Sequence, residues 1–213
     1  MDETIFTTIK QLATEYSTKL REQLTLRERE MAQDDTSHFL IYRVLGISNS
    51  EGHLIDLYQN KGRFLYKYAG AFLEEAAVTW IRHKYPDAGK AKIPNTQGSR
   101  PKTHEIDCLI GDRAIEIKWR DATTDGDHIT KEHTRVMVIR ENGYRPVRIM
   151  FYYPQRKQAK RIQETLKTLY HGIGGEYFYG DDAWRYLHEL TGIDLLEILK
   201  KIADSREQYD ADS

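Results

Sequence analysis

The N-terminal third of the chain carries apolar residues at helical spacing. The first run predicts a helix from about residue 2 to residue 32. Its members are Ile5, Ile9, Leu12, Tyr16, Leu20 and Leu24. Thr36 is a suitable N-cap for a short helix that ends at Leu45. A further helix is predicted from about Lys61 to Tyr85, because Pro86 cannot continue it.

The middle third alternates between strands and helices. Two strands, Glu105–Ile110 and Arg113–Trp119, flank Gly111-Asp112. A helix is predicted over Asp127–Asn142, and the apolar run Arg145–Tyr153 predicts a central strand buried on both faces. A helix follows, marked by Ala159, Ile162, Leu166 and Leu169. After it, Glu176–Tyr179 predicts a short strand, and two C-terminal helices are predicted to begin at Asp181 and Asp194.

This order of elements predicts the fold class α/β, with a small mixed β-sheet flanked by helices and a helical region before it. We expect one domain over residues 1–213. Its parts are a helical N-terminal region, 1–88, an α/β core, 89–170, and a C-terminal strand with helices, 171–213.

Composition excludes several classes of protein. Apolar residues make up 39% and charged residues 31% of the chain, which is typical of a globular protein with a polar surface. No apolar stretch approaches the length of a membrane span, and the N-terminus does not resemble a signal peptide. The single cysteine, Cys108, excludes a disulfide framework. These features predict a cytoplasmic protein.

The distribution of charge is more informative than its total. The formal net charge is −1, yet residues 88–103 and 143–163 contain cations and no acids. Two solvated faces and a groove that binds a phosphate backbone are equally compatible with this pattern.

Acidic residues are placed to oppose one another across the predicted hairpin. Gly111-Asp112 suits a two-residue type II′ turn, which pairs Ile110 with Arg113. Asp107 then lies opposite Glu116, and Glu105 opposite Lys118, with all four side chains on one face. Ile106, Cys108, Ile110, Ile115 and Ile117 are expected on the other face, in the core.

Directly opposed carboxylates destabilise a sheet unless something lies between them. A divalent cation removes this repulsion, and hard oxygen ligands favour Mg²⁺. Lys118 beside the pair can stabilise the pentavalent phosphate that forms during hydrolysis, or it can orient the attacking water. The hairpin therefore predicts a magnesium-dependent site for phosphodiester hydrolysis.

Asp107 followed by Glu116-Ile117-Lys118 resembles the PD-(D/E)XK nuclease signature, with Ile106 in place of the proline. The resemblance implies a restriction-endonuclease-like core. It also implies metal ligation by Asp107, Glu116 and the Ile117 carbonyl, with Lys118 as the catalytic lysine. Mn²⁺ is expected to replace Mg²⁺, and Ca²⁺ to support binding without cleavage.

The segment EIDCLIGDRAIEIKWRDATTDGDHITKEHTRV, with GYRPVRIMFYYP after it, is similar to the ApaLI-like group of type II restriction endonucleases. That similarity implies cleavage of double-stranded DNA at a short palindrome, GTGCAC for the group's namesake. It further implies a homodimer, for which the N-terminal helices are the natural contact, and a cognate DNA methyltransferase that acts on the same site.

Other candidates for the site are less specific. Glu75 falls at the edge of the apolar arc of its helix and Glu74 nearly opposite, so Glu75 is the preferred accessory acid; a solvated helix acid is equally compatible. Candidate DNA contacts are Lys102, His104, Arg120, His128, Lys131 and Arg135. A partial EF-hand pattern is formed by Asp121, Thr123, Asp125, Gly126 and Glu132, although His128 and the preceding strand disagree with it.

The sequence therefore favours a type II restriction endonuclease. Two alternatives remain open at this level: a repair or junction-resolving nuclease of the same fold, and a non-catalytic module that binds DNA or calcium.

Overall fold

The computed structural model of the chain describes residues 3–98, 100–120 and 127–211. Within these residues it has seven helices and five strands, which confirms the predicted mixed α/β class. In chain order the elements are α1 Glu3–Met31, α2 Phe39–Val44, α3 Asn49–Lys84, β1 Gly89–Pro94, β2 Thr103–Ile110, β3 Arg113–Arg120, α4 Asp127–Glu141, β4 Arg145–Tyr152, α5 Lys157–Gly172, β5 Glu176–Tyr179, α6 Asp181–Thr191 and α7 Leu195–Ala211.

The third helix is longer than the sequence pattern predicted, since it begins at Asn49 and not near Lys61. Its start is capped: the backbone N–H of Glu51 donates to Oγ of Ser48 at 3.2 Å. Ser48 and Glu51 have the spacing of a capping box, which is a signal for a helix start. This signal lies outside the apolar periodicity on which the prediction depended.

The five strands form one sheet in the order β1-β2-β3-β4-β5. β1, β2 and β3 pair antiparallel, whereas β3, β4 and β5 pair parallel. The carboxyl ends of β1, β3, β4 and β5 therefore lie at one edge of the sheet. β1, a segment whose sequence pattern is compatible with either a strand or a loop, completes the sheet on one side.

The helices α4 and α5 connect the parallel strands and pack against each other. Right-handed crossovers between strands that follow one another in the same direction place their helices on the same face of the sheet. Two clusters form the core there. One contains Val138 and Ile139 with residues of β1, β2 and β3, and the other contains Leu166 and Tyr170 with Val136.

The chain separates into two compact units, one of residues 1–9 and 73–213 and the other of residues 10–72. The sheet and the candidate site belong to the first unit. In the described part of the chain, no helix combines the length and the apolar character needed to cross a membrane.

Candidate active site

The hairpin of β2 and β3 has the predicted turn. Gly111 has a φ of 56°, while no described residue other than glycine has a positive φ. A positive φ at the first central position alone is the property of a type II′ turn. Backbone pairing near the turn joins Ile110 to Arg113 and Cys108 to Ile115, which confirms the predicted register there.

Further from the turn, β2 contains a bulge that the predicted hairpin register did not include. In the pairing with β1, one residue, Lys90, lies opposite two residues, Asp107 and Cys108. A bulge adds a residue to one strand only and turns side chains away from strict alternation. The extra residue therefore falls at the predicted catalytic aspartate.

The bulge changes which side chains share a face. Ile106 packs in the cluster under α4 with Ala114 and Val138, so its predicted placement with Cys108 on the other face was wrong. Glu105 was expected opposite Lys118. Its Oε1 instead lies 3.7 Å from Nζ of Lys90.

Asp107 and Glu116 nevertheless converge on one ammonium group. Nζ of Lys118 lies 2.5 Å from Oε1 of Glu116 and 3.7 Å from Oδ2 of Asp107. The backbone N–H of Ile117 donates to Oδ2 of Asp107 at 2.8 Å. This bond fixes the aspartate against β3 where the backbone pairing has stopped.

Both carboxylates are buried, with 9% of Asp107 and 3% of Glu116 exposed. Burial, followed by the nearby charge of Glu116, raises the pKa of Asp107 to about 6, although Lys118 opposes the shift. The two acids are therefore close enough for their charges to repel each other.

Arg135 of α4 supplies a second cation at this point. Its guanidinium forms an ion pair with Oε1 of Glu116. Burial alone would lower the pKa of Arg135, but the charges of Glu116 and Glu132 raise it above its ordinary value. Lys118 and Arg135 both lie within ion-pair distance of this oxygen, although neither contact has the angles of a hydrogen bond.

A buried polar network anchors α4 next to the carboxylates. Nη1 of Arg148 donates to Oε1 of Glu132 at 2.8 Å, and the hydroxyl of Tyr170 donates to the same oxygen at 2.5 Å. Burial would raise the pKa of Glu132, but the charges of Arg148 and Arg135 and the bond from Tyr170 hold it at about 2. Arg148 on β4 is the backbone-pairing partner of Glu116 on β3. The network therefore lies on the strand next to the candidate site.

The structure places Glu74 near the two candidate carboxylates. Nζ of Lys90 lies 2.7 Å from Oε1 of Glu74, and the charge of Glu74 contributes to the raised pKa of Asp107. Glu75 is exposed. The predicted position of Glu74, nearly opposite the apolar arc, was therefore wrong, whereas the accessory role of Glu75 stays a prediction.

The reason is the width of the buried arc on α3. Ala77, Val78 and Ile81 are buried in addition to the residues used to draw the predicted arc. At 100° per residue, these three positions extend the arc around the helix until it includes Glu74.

Glu116 and Lys118 line a cleft with a volume of about 580 Å³. One wall is the β1–β2 connection and the other is α4. The lining residues are Asn95, Gln97, Arg100, Pro101, His104, Glu116, Lys118, Thr130, Lys131, Glu132, Thr134 and Arg135. Cations thus lie on both walls around the acids.

Three of the six predicted DNA contacts, His104, Lys131 and Arg135, line this cleft. Lys102 is exposed at the end of the β1–β2 connection, and Arg120 lies at the end of β3, where it lines a different pocket. The side chain of His128 lies outside the described residues.

His104 is neutral at the cleft. Burial and then the charge of Arg135 lower its pKa. Its Nε2 is buried and has no hydrogen-bond partner within the described part of the chain. A neutral imidazole at this position can donate or accept one hydrogen bond to a ligand in the cleft.

The EF-hand pattern loses one of its ligands. Residues 121–126 lie outside the described residues, but Glu132, its twelfth position, is buried and bonded to Arg148 and Tyr170. The bonded oxygen of Glu132 is therefore engaged within the core network and not available as a calcium ligand.

Sequence reasoning missed the network of Glu132, Arg148 and Tyr170. One signal was present: Arg148 is the single charged residue inside the apolar run Val147–Tyr153. A charge inside a strand buried on both faces requires a partner of opposite charge.

Comparison with known families agrees with this geometry. The family model described as ApaLI-like restriction endonuclease matches residues 1–204. Neither a curated protein nor a solved structure matches the chain. Because the family match includes the sheet, the cleft and the N-terminal helices, the chain belongs to the ApaLI-like restriction endonuclease family and is a type II restriction endonuclease.

Proposed function

We propose that this restriction endonuclease hydrolyses phosphodiester bonds with Mg²⁺ at Asp107, Glu116 and Lys118. The observation that carries the proposal is the convergence of two buried carboxylates on the ammonium of Lys118 at the cleft. Metal ligands would be Asp107, Glu116 and the carbonyl of Ile117, with Glu74 as the accessory acid.

The residues fit a magnesium ion. Burial and then the charge of Glu116 raise the pKa of Asp107, and a divalent cation between the two carboxylates would favour the charged form of both. Within the described ranges, no three His, Cys, Asp or Glu side chains form a metal cluster. Mg²⁺ commonly takes one or two carboxylates and completes its coordination with water and phosphate oxygens, so two carboxylates suffice.

Each residue then has a separate role in hydrolysis. When bound, Mg²⁺ supplies Lewis-acid stabilisation of the charge that develops on the scissile phosphate. Lys118 places its ammonium against that phosphate or orients the attacking water. Arg135 and Lys131, on the α4 wall of the cleft, neutralise phosphates of the bound strand.

The substrate is proposed to be a short palindromic site in double-stranded DNA, and GTGCAC is the first sequence to test. Family membership supports this proposal, since restriction endonucleases act on DNA. A cognate methyltransferase would protect the same site in the host. Repair of branched DNA receives no support from the family match.

The decisive experiment is digestion of phage DNA with Mg²⁺, followed by sequencing of the fragment ends. Wild type should give discrete bands with one common terminal sequence. Asp107→Ala and Lys118→Ala should abolish cleavage, and specific binding should survive with Ca²⁺. Mn²⁺ should replace Mg²⁺.

Asp112→Ala is the matched control, since Asp112 lies in the turn of the same hairpin and its backbone carbonyl alone accepts a bond from Arg145. Cleavage by this control should equal that of wild type. Cleavage at a near wild-type rate by either catalytic variant would refute the site assignment.

A homodimer is the second part of the proposal, and the unit of residues 10–72 supports it. All of these residues are described, and none of the buried hydrophobic side chains of the chain belongs to them. Large apolar side chains are instead exposed, among them Val44 at 73%, Leu45 at 73% and Tyr58 at 66%. An exposed apolar surface of this extent typically marks an interface.

A second copy of the chain is the proposed partner, because a palindromic site calls for a two-fold protein with one active site for each strand. Light scattering after size-exclusion chromatography should give the mass of a dimer at micromolar concentration. Leu45→Glu should shift the protein to the monomer. Lys10→Glu, which places the same side chain at an exposed polar position of α1, should not. A monomeric wild type would contradict this part.

A further inference from the structure

The cationic segment of residues 143–163 divides into two parts in the structure. Its two cations on β4 are engaged, since Arg145 forms an ion pair with Glu176 and Arg148 donates to Glu132. The other four cations are exposed and lie at the start of α5, and we call them the α5 cluster. They are Arg156, Lys157, Lys160 and Arg161.

The α5 cluster has no counter-charge of its own. In the part of the chain that the structure describes, none of its four side chains forms an ion pair or a hydrogen bond. Glu164, the acid next along the helix, instead accepts a hydrogen bond from the hydroxyl of Tyr153 at 2.6 Å. Like charges three and four residues apart destabilise a helix, and Lys157 has both spacings, to Lys160 and to Arg161. A partner of opposite charge would offset this repulsion.

The α5 cluster forms one outward-facing patch. At 100° per residue, Lys157, Lys160 and Arg161 lie within about 100° of one another around the helix. The buried residues of α5 lie on the opposite side; they are Ala159, Ile162, Gln163, Leu166 and Tyr170. The cations are therefore presented together, and the core does not compete for them.

The α5 cluster lies at the same edge of the sheet as the start of α4. β3 and β4 are parallel neighbours, so the helices that follow them both begin at the carboxyl ends of these strands. Thr130 and Lys131, near the start of α4, line the cleft. Because α4 and α5 pack against each other, the cluster lies one helix away from the α4 wall of the cleft.

This separation matches the spacing of phosphates in DNA. The axes of packed helices are about 8–10 Å apart. A DNA strand carries one phosphate about every 3.4 Å along the helix axis, so three nucleotides cover about 10 Å. A backbone whose phosphates meet the start of α4 would therefore reach the start of α5 about three nucleotides further along.

We propose that the α5 cluster is a second phosphate-binding surface, which holds the backbone of duplex DNA outside the cleft. The inference rests on the proposed function, because the cleft places the DNA. Phosphate contacts carry no sequence information, so the cluster would strengthen the binding of any duplex to the same extent.

The test compares two double variants that each remove one lysine and one arginine. Lys160→Gln with Arg161→Gln, the α5 variant, removes half of the cluster. The matched control is Arg140→Gln with Lys200→Gln. Both control residues are exposed and have no ion-pair partner in the described part of the chain, and Arg140 lies near the other end of α4. Glutamine favours a helix about as well as lysine and arginine do, and circular dichroism checks that each variant is folded.

Binding is measured by fluorescence anisotropy over a range of salt concentrations, in EDTA so that magnesium-dependent cleavage does not occur. The probes are two labelled duplexes of equal length, one with GTGCAC and one without it. The α5 variant should lower the slope of log binding constant against log salt concentration by about two, as expected for two lost phosphate contacts. The loss should be the same for both duplexes, and the control variant should keep the wild-type slope.

Three results would overturn the inference. An unchanged slope for the α5 variant would show that its cations form a solvated face, and an equal loss in the control would show an effect of total charge alone. A loss with only one of the two duplexes would show that the contact is not to phosphates. The nuclease proposal is judged separately, by digestion with Mg²⁺ and the variants Asp107→Ala and Lys118→Ala, so an unchanged slope beside normal digestion rejects the α5 cluster alone.

Discussion

Replacing Glu132 by glutamine should destabilise the protein strongly, because it leaves the guanidinium of Arg148 buried without a counter-charge. Glu132 is 4% exposed and Arg148 only 1%. Removing one partner of a buried ion pair costs about 3–5 kcal/mol. The hydroxyl of Tyr170 also loses its charged acceptor.

The pKa of Glu132 gives a second, independent value for the free energy of unfolding that this ion pair contributes. Its folded value of about 2 lies below the ordinary 4.5. A depressed folded pKa contributes stability that is present above the unfolded value and is lost as the pH falls through the folded value. At 1.36 kcal/mol for each pKa unit, the contribution near neutral pH is about 3 kcal/mol, which agrees with the first value.

Urea unfolding followed by tryptophan fluorescence is the assay, since Trp80, Trp119 and Trp184 all belong to the unit that contains Glu132. The gap in unfolding free energy between wild type and Glu132→Gln should be constant above about pH 5. It should narrow as the pH falls toward about 2, because wild-type Glu132 then becomes neutral as well.

Two further variants test whether the buried charge of Arg148 is the cause of the lost stability. Glu189→Gln, an exposed acid on α6, should change stability by less than about 0.5 kcal/mol. Glu132→Leu combined with Arg148→Met should recover most of the loss, since an apolar pair leaves no buried charge. If Glu132→Gln is as harmless as Glu189→Gln, or if its effect does not depend on pH, the ion pair does not stabilise α4 as described.

Two predictions concern the cleft. Glu74→Gln should lower the cleavage rate about 10-fold or more, because it removes an acid whose charge acts on Asp107, whereas Glu75→Gln should cut like wild type in the same steady-state assay. Equal rates for both would remove Glu74 from the site. Lys131→Ala should lower the slope of log binding constant against log salt concentration by about one, as expected for one lost phosphate contact. An unchanged slope would show that Lys131 does not contact a phosphate.

The local geometry of the β2–β3 hairpin followed from the sequence, because it depends on residues that are near neighbours in the chain. Gly111 permits the positive φ of a type II′ turn, and the two-residue loop then fixes the register of the adjacent pairs. The mixed sheet and the type of every element except β1 were likewise predictable, since periodicity and turn residues are local properties.

Tertiary structure decided what surrounds that hairpin. The bulge at Asp107 arises in the pairing with β1, a strand that its own pattern did not define. Glu74 lies near the site because the buried arc of α3 also includes Ala77, Val78 and Ile81, and the burial of these side chains depends on what packs against the helix.

The same division holds for the buried charges. The sequence placed Arg148 in a buried strand, but its partners Glu132 and Tyr170 lie on two helices that only the crossovers bring together. A turn restricts residues that are adjacent in the chain. Partner choice across a core depends on packing between elements distant in sequence, and no single-sequence pattern contains that information.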